Sequence, residues 1–312
     1  MVTAFLFPGQ GSQKVGMGRD LAAAFPAARE VLEIVDEALG RKLSTLMAEG
    51  PEDQLLLTAN AQPALMAVSL AAIRALEALT GRPFASFADV AAGHSLGEYA
   101  ALTAAGTFDV ADAARLLRLR GEAMQAAVPP GAGAMAAILG LALADVERVA
   151  SEADGVVDVA NDNAAGQVVV SGAADAVARV VDLAKAAGAK RVLPLAVSAP
   201  FHCRLMQPAA ERMAAALAEV RMADPAVPIV ANVTAAPVTT ADAVREQLVA
   251  QVCARVRWRE TMDRLQAMGV RRVVEAGAGK VLAGLAKRGV AGAAVVNVET
   301  AADVEAVAAA LG

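Results

Sequence analysis

Gly93-His94-Ser95-Leu96-Gly97 follows a short apolar run, Val90-Ala91-Ala92, and opens a helix-like run, Glu98-Tyr99-Ala100-Ala101-Leu102. The order strand, tight turn, helix makes a G-x-S-x-G string into an elbow. The serine hydroxyl is pushed out of the backbone beside helix N-terminal amides, and the flanking glycines let the turn close without Cβ clashes. Such a turn builds a serine nucleophile with an oxyanion hole beside it. It also assigns the first third of the chain to the α/β class, with a parallel sheet as core.

Working outward, residues 4–7 read as a buried strand that ends in the turn Pro8-Gly9-Gln10-Gly11-Ser12-Gln13. Helices are expected near 21–39, over 60–79 with Pro63 tolerated near the start, and over 110–126. Pro129-Pro130-Gly131 is a clear break. Beyond it, strands are expected at 134–140, 156–160, 167–171 and 191–197, and helices at 143–153 and 175–187, with a turn over 161–166. That order is β-α-β-β-α-β, the split or ferredoxin-like pattern. It forms a small domain, residues 129–198, inserted in a large one made of residues 1–128 and 199–312. Ser198-Ala199-Pro200 returns the chain to the large domain. There the patterns predict helices near 205–218, 243–252, 258–268 and 301–311, and strands near 229–231, 272–275 and 294–298.

Composition narrows the function classes. The chain has 312 residues and is 57% hydrophobic, much of it alanine, with only 3% aromatics, so the core is expected to be aliphatic and helix-rich. The longest nearly apolar stretch read, 131–144, is too short to span a bilayer, and no membrane partner is expected. The N-terminus lacks a positively charged region, so no signal peptide is expected. Cys203 and Cys253 offer neither a disulfide framework nor a metal pattern, which fits a reducing cytoplasm. A net charge of −5 disfavours nucleic acid as a partner.

A serine nucleophile needs a base, and the chain has two histidines. His94 adjoins Ser95 on a sharp turn, where neighbouring side chains diverge, and is expected to be structural. His202 follows the second break, where the chain re-enters the large domain beside a cleft, and it is the only other base available to Ser95. Asp145, Asp154, Asp158, Asp162, Asp175 and Asp182, between Ser95 and His202, fall in the small domain and read as caps or solvated faces, so a Ser–His dyad is expected rather than a triad. The Gly9-Gln10-Gly11 turn lacks the spacing of a dinucleotide fingerprint; with the Leu96 amide it offers an oxyanion hole. Arg120, two positions from Arg118, should lie on a different helix face. It suits a substrate carboxylate, although from sequence alone a surface salt bridge is the plainer reading.

Together, several motifs resemble one family, the malonyl-CoA:acyl carrier protein transacylases and related acyltransferase domains. They are Phe7-Pro8-Gly9-Gln10-Gly11-Ser12-Gln13, Thr58-Ala59-Asn60-Ala61-Gln62-Pro63-Ala64-Leu65, Gly93-His94-Ser95-Leu96-Gly97-Glu98-Tyr99, and Arg118-Leu119-Arg120-Gly121 with Met124. Further along come Gly166-Gln167-Val168-Val169-Val170-Ser171-Gly172, Ala199-Pro200-Phe201-His202, Asn232-Val233 and Glu275-Ala276-Gly277-Ala278-Gly279-Lys280-Val281-Leu282. The resemblance spans nearly the whole chain, in order. It implies a hydrolase-like large domain and a ferredoxin-like small one.

By position, the resemblance implies Ser95 as acyl acceptor, His202 as base, Gln251 orienting His202, and the Gln10 and Leu96 amides on the oxyanion. Arg120 would bind the malonyl carboxylate, with Met124, Asn163 and Phe201 near the acyl pocket; Phe201 before the histidine is the malonyl-type pattern. Cys203 stands where the family has serine, and Ala165 where it has proline. The implied partners are malonyl-CoA and acyl carrier protein. No cofactor is implied, and a monomer is expected. Lys190-Arg191, Lys280 and Lys287-Arg288 are candidates for carrier docking, or simply solvated faces. The alternatives are the malonyl-transferring subunit of a malonate decarboxylase, a discrete polyketide-synthase acyltransferase, and a serine thioesterase.

Overall fold

A computed structural model describes residues 1–311. Among the described residues, ten strands form two sheets. They are β1 (Thr3–Phe7), β2 (Val90–Gly93), β3 (Gly133–Leu139), β4 (Val157–Ala164), β5 (Gln167–Ala173), β6 (Arg191–Pro194), β7 (Ile229–Val230), β8 (Pro237–Val238), β9 (Arg272–Ala276) and β10 (Ala294–Val298). The larger sheet has the order β10-β9-β1-β2-β7-β8, parallel throughout except for the antiparallel β7–β8 edge. β1 and β2 lie side by side near its centre.

Alternation along β1 explains why both faces of this sheet are covered. Phe5 and Phe7 enter one apolar cluster, built largely on the helices Pro26–Leu39, Thr58–Thr80 and Val110–Ala126. Ala4 and Leu6 enter the other, beneath the helices Trp258–Ala267 and Val281–Gly289. The helix Thr58–Thr80 is long and apolar enough to cross a membrane by length and composition, and thus exceeds the stretch singled out in the sequence. Here it is the buried centre of the first cluster, and Leu65, Ala67 and Val68 have no exposure.

The second sheet, order β4-β5-β3-β6, is antiparallel throughout. With the helices Leu143–Glu152 and Ala174–Ala186 it follows the expected β-α-β-β-α-β element order. Its two faces also divide by alternation. Val168, Val170, Ala136 and Ile138 face those two helices, whereas Val169, Met135 and Ala160 join the main cluster of the large sheet. Val256 clips β4 to the large sheet's side, because its N–H donates to Ala160 O at 2.8 Å and its carbonyl accepts from Asp162 N–H at 3.0 Å.

Several expectations change. The helix expected near 21–39 is two, Arg19–Ala24 and Pro26–Leu39, because Pro26 cannot continue a helix but can begin one. The turn expected over 161–166 is instead strand to Ala164, with irregular register at Val159/Asn161 and Asp162/Ala164. β6 stops at Pro194, before the expected 197. Two short helices, Leu43–Glu49 and Glu52–Leu56, and the helix Val281–Gly289 lie where no element was expected.

Candidate active site

The elbow closes where β2 ends. A Cβ on Gly93 would lie 1.9 Å from the Gly97 backbone, and one on Gly97 would lie 2.2 Å from Phe7 O, so neither position accepts a side chain. Between them Ser95 takes φ 54°. Its N–H donates to Asn232 Oδ1 at 2.7 Å, and Asn232 Nδ2 donates to Gly93 O at 2.7 Å. One buried asparagine thus binds both sides of the strained turn. Among the described non-glycine residues, positive φ occurs at Ser95, His202 (φ 59°) and Ala235. Left-handed backbone disfavours a side chain, and strain of this kind collects where function requires it. Two of the three are the pair singled out from the sequence.

Ser95 Oγ and His202 Nε2 are 2.8 Å apart. On the far side of the ring, His202 Nδ1 donates to the Gln251 backbone carbonyl at 2.9 Å. A carbonyl only accepts, so Nδ1 carries the proton and Nε2 is the free acceptor for the serine hydroxyl. Burial, with the positive charge of Arg120 adding to it, pushes His202 down to about 3. The ring is therefore neutral, and a base, across the physiological range. Gln251 does orient His202, but through its main chain.

The Gln251 side chain serves another group. Arg120 is 1% exposed. Its Nη1 donates to Gln62 Oε1 and its Nη2 to Gln251 Oε1, both at 2.8 Å, and Nη2 lies 3.2 Å from Ser95 Oγ. The Tyr99 ring lies 5.8 Å from the guanidinium carbon. Arg120 is thus a buried cation aimed at the nucleophile and held by neutral amides; the surface salt bridge belongs to Arg118, which pairs with Glu122.

Gln62, Asn232 and Glu98 were not singled out for any role in the sequence. Glu98 is 2% exposed, and burial pushes its carboxyl up to about 7 against two hydrogen bonds and the charge of Arg120. His94, expected to be structural, stands on the wall of the cavity that Ser95 opens into. Its Nε2 lies 2.9 Å from Asn163 Oδ1, its ring packs 5.2 Å from Trp258, and burial lowers its pKa.

Ser95, Arg120 and His202 open into a cavity of about 340 Å³ walled also by Gln10, Leu96, Gln62, Met124, Met135, Asn161, Phe201 and Leu195–Ser198. Of the residues expected at the pocket, Asn163 is absent from the wall. It faces His94, and Asn161 lines the cavity instead, because β4 continues with irregular register where a turn was expected. Gln10 is fixed by Thr58, whose Oγ1 donates to Gln10 Oε1 at 2.6 Å. Among the described residues neither the Gln10 nor the Leu96 amide has a protein acceptor, so both are free to donate beside Ser95. Cys203 is buried, its Sγ donating to Pro200 O at 3.1 Å behind His202. Of the basic residues considered for docking, none lines this cavity; Lys280 and Lys287 line a separate cleft with Arg272 and Asp303.

Comparison with known proteins identifies the family. The acyl transferase domain model matches residues 4–308. The chain is 47% identical over 287 residues to the malonyl CoA-acyl carrier protein transacylase of Escherichia coli K12, covering 91% of this chain and 92% of that one. It is 46% identical to the protein of the same name from Bacillus subtilis, covering 91% and 89%. The acyl-carrier-protein-S-malonyltransferase structure from Bartonella henselae superposes with TM-score 0.97 at 52% identity, over 100% of both chains. A structure of a type II PKS acyl-carrier protein in complex with its malonyl-transacylase superposes at 0.95 with 42% identity, over 99% of this chain and 100% of that one. Matched by that family model over nearly its whole length and by relatives at 46–47% identity, the chain belongs to the acyl transferase domain family, among the malonyl CoA-acyl carrier protein transacylases.

Proposed function

We propose that this chain moves the malonyl group from malonyl-CoA to the phosphopantetheine thiol of an acyl carrier protein in fatty acid biosynthesis, by way of a malonyl ester on Ser95. The observation that carries the reading is the 3.2 Å approach of Arg120 Nη2 to Ser95 Oγ at the wall of the cavity. It places a carboxylate receptor beside the nucleophile, within reach of the far end of a short acyl chain, a specificity device that a general esterase has no use for.

In the first half-reaction Ser95 Oγ gives its proton to His202 Nε2 as it attacks the thioester carbon. The negative oxygen is received by the Gln10 and Leu96 amides. The C–S bond then breaks, and His202 returns the proton to the departing thiolate. In the second half the carrier thiol gives its proton to His202, attacks the malonyl-serine carbonyl, and Ser95 leaves with that proton. The malonyl carboxylate resting on Arg120 offsets the charge that helps depress His202, so a bound malonyl group strengthens the base more than a bound acetyl group does. Gln251 O keeps Nδ1 protonated throughout. Both cysteines are free, which supports a reducing cytoplasmic setting, and we take the working unit to be a monomer.

Intact-protein mass after brief exposure to malonyl-CoA tests the reading, with Ser95→Ala alongside. The expected outcome is one malonyl group on the wild type and none on the variant, discharged by holo acyl carrier protein. CoA release without an adduct, and without a thiol acceptor, identifies a hydrolase instead.

A further inference from the structure

Glu98 takes no part in the steps above, yet it is buried in the first turn of the helix Gly97–Ala104, directly behind the nucleophile. Its Oε2 accepts from Gln251 Nε2 at 2.7 Å and from the Asn232 N–H at 3.1 Å. Each partner leads onward to the reacting centre. Asn232 Oδ1 holds the Ser95 amide, and Gln251 Oε1 accepts from Arg120 Nη2.

The Gln251 link has only one workable orientation. A carboxylate accepts and a guanidinium donates, so the amide between them must turn its NH₂ to Glu98 and its oxygen to Arg120. Gln251 Nε2 also donates to Ser95 O at 3.0 Å, which fixes the same orientation. The negative charge of Glu98 thus reaches Arg120 through an aligned amide dipole, without a carboxylate touching the guanidinium. A carboxylate placed directly on Arg120 would neutralise the charge that an acyl carboxylate needs; with no acid behind the amide, the buried cation would be unbalanced.

We propose that Glu98 is a positioning residue for acyl selectivity: acting through the Gln251 side chain, it balances and aims Arg120 while keeping any protein carboxylate off the guanidinium that is to receive the substrate's. This rests on the reading of Arg120 as the receptor for the malonyl carboxylate.

The test is steady-state transfer to holo acyl carrier protein from malonyl-CoA and from acetyl-CoA, for wild type, Glu98→Gln and the double variant Glu98→Gln/Gln251→Glu. Thermal unfolding identifies the folded variants. Glu98→Gln keeps a hydrogen-bonding group of the same size and removes the charge, which the carboxyl carries in full only above about pH 7, so transfer is measured above that pH. Its malonyl kcat/KM should fall about tenfold, mainly through KM, the loss expected when a hydrogen bond to a charged group is weakened. Acetyl transfer should change by less than about threefold. The double variant moves the carboxylate onto Arg120 itself and should lower the malonyl-to-acetyl ratio of kcat/KM about a hundredfold.

Equal loss for both acyl groups would assign Glu98 to support of the elbow through Asn232 and overturn the proposal. Unchanged selectivity in either folded variant overturns it as well. A wild type that shows no preference for malonyl over acetyl overturns the functional reading itself, and does so before any variant is made.

Discussion

Two strand–turn–helix units leave the carboxyl edge of the large sheet. β2 runs through the Ser95 turn into the helix Gly97–Ala104, and β9 runs through a glycine turn into the helix Val281–Gly289. Each unit buries a glutamate that desolvation raises to about 7. In the second, Glu275 accepts from the Leu282 and Ala283 amides at 3.1 and 2.6 Å, so the carboxyl caps its own helix. There the left-handed backbone is carried by glycines, Gly277 at φ 130° and Gly279 at φ 83°. In the first unit it falls on Ser95, and the carboxyl bonds to side-chain and main-chain groups around the reacting centre. The same supersecondary device closes a turn in one place and displays a nucleophile in the other. A raised carboxyl pKa does not tell the two apart; the identity of the left-handed residue and of the carboxyl's partners does.

The sharpest way to break this contrast is Ser95→Ala, which should lower transfer by on the order of 10⁴-fold or more while the chain stays folded. Residual transfer near wild-type level would reduce the elbow to a turn like that at Gly277. Next comes Arg120→Ala. Losing one partner of a buried charged pair costs about 2–5 kcal/mol, so malonyl transfer should fall by about two to three orders of magnitude while acetyl transfer survives. A variant that keeps the malonyl-to-acetyl ratio would show that the arginine does not read the acyl group.

The Gly277 turn calls for the opposite result. Glu275→Gln should leave transfer kinetics unaltered and change stability. Folded Glu275 holds its proton to about pH 7, against an ordinary value of 4.5. From about 4.5 to 7 the folded state therefore binds more protons than the unfolded one, and this carboxyl's contribution to stability declines as pH rises. Denaturant unfolding of wild type relative to Glu275→Gln should show a relative loss across that window, of at most about 1.4 kcal/mol per pH unit. A flat difference would remove Glu275 as a buried titrating group. The smallest effect is expected from comparing Ser95→Gly with Ser95→Ala. Both lack the hydroxyl, but glycine accepts φ 54° freely, so its variant should be the more stable by about 1 kcal/mol. Equal midpoints in a denaturant titration would mean the elbow stores no strain.

How much of this was legible in the chain follows from distance along it. Ser95, Leu96, Gln10 and His202 were readable because each belongs to a local motif whose turn chemistry can be worked out from neighbouring residues. The α/β alternation was readable for the same reason, since β1 and β2 carry their burial pattern in consecutive residues. Arg120 could be placed on a different face from Arg118, but its burial depends on Gln62 and Gln251, 58 and 131 positions away. Asn232 and Glu98 likewise join the site by long-range contacts that no periodicity announces. Gln251 was named for the right effect, yet its backbone carbonyl produces that effect, and a sequence does not say which atom of a residue will be used. Asn163 was displaced by irregular register in β4, which no Gly or Pro signals. Pro26 is a helix starter by its chemistry, but the apolar spacing on either side of it continues unbroken and hides the break.

The manner in which Arg120 is held bears on how this pocket changes over evolutionary time. A cation paired directly with a buried acid cannot be lost alone, because its partner is stranded. Here the groups against the guanidinium are Gln62 and Gln251, each with both a donor and an acceptor. The acid one step behind them sits near neutrality and can take up a proton. Replacing the arginine thus leaves behind groups that can satisfy themselves. Acyl preference can drift, or be redesigned, by a single codon without first dismantling the fold that supports the nucleophile.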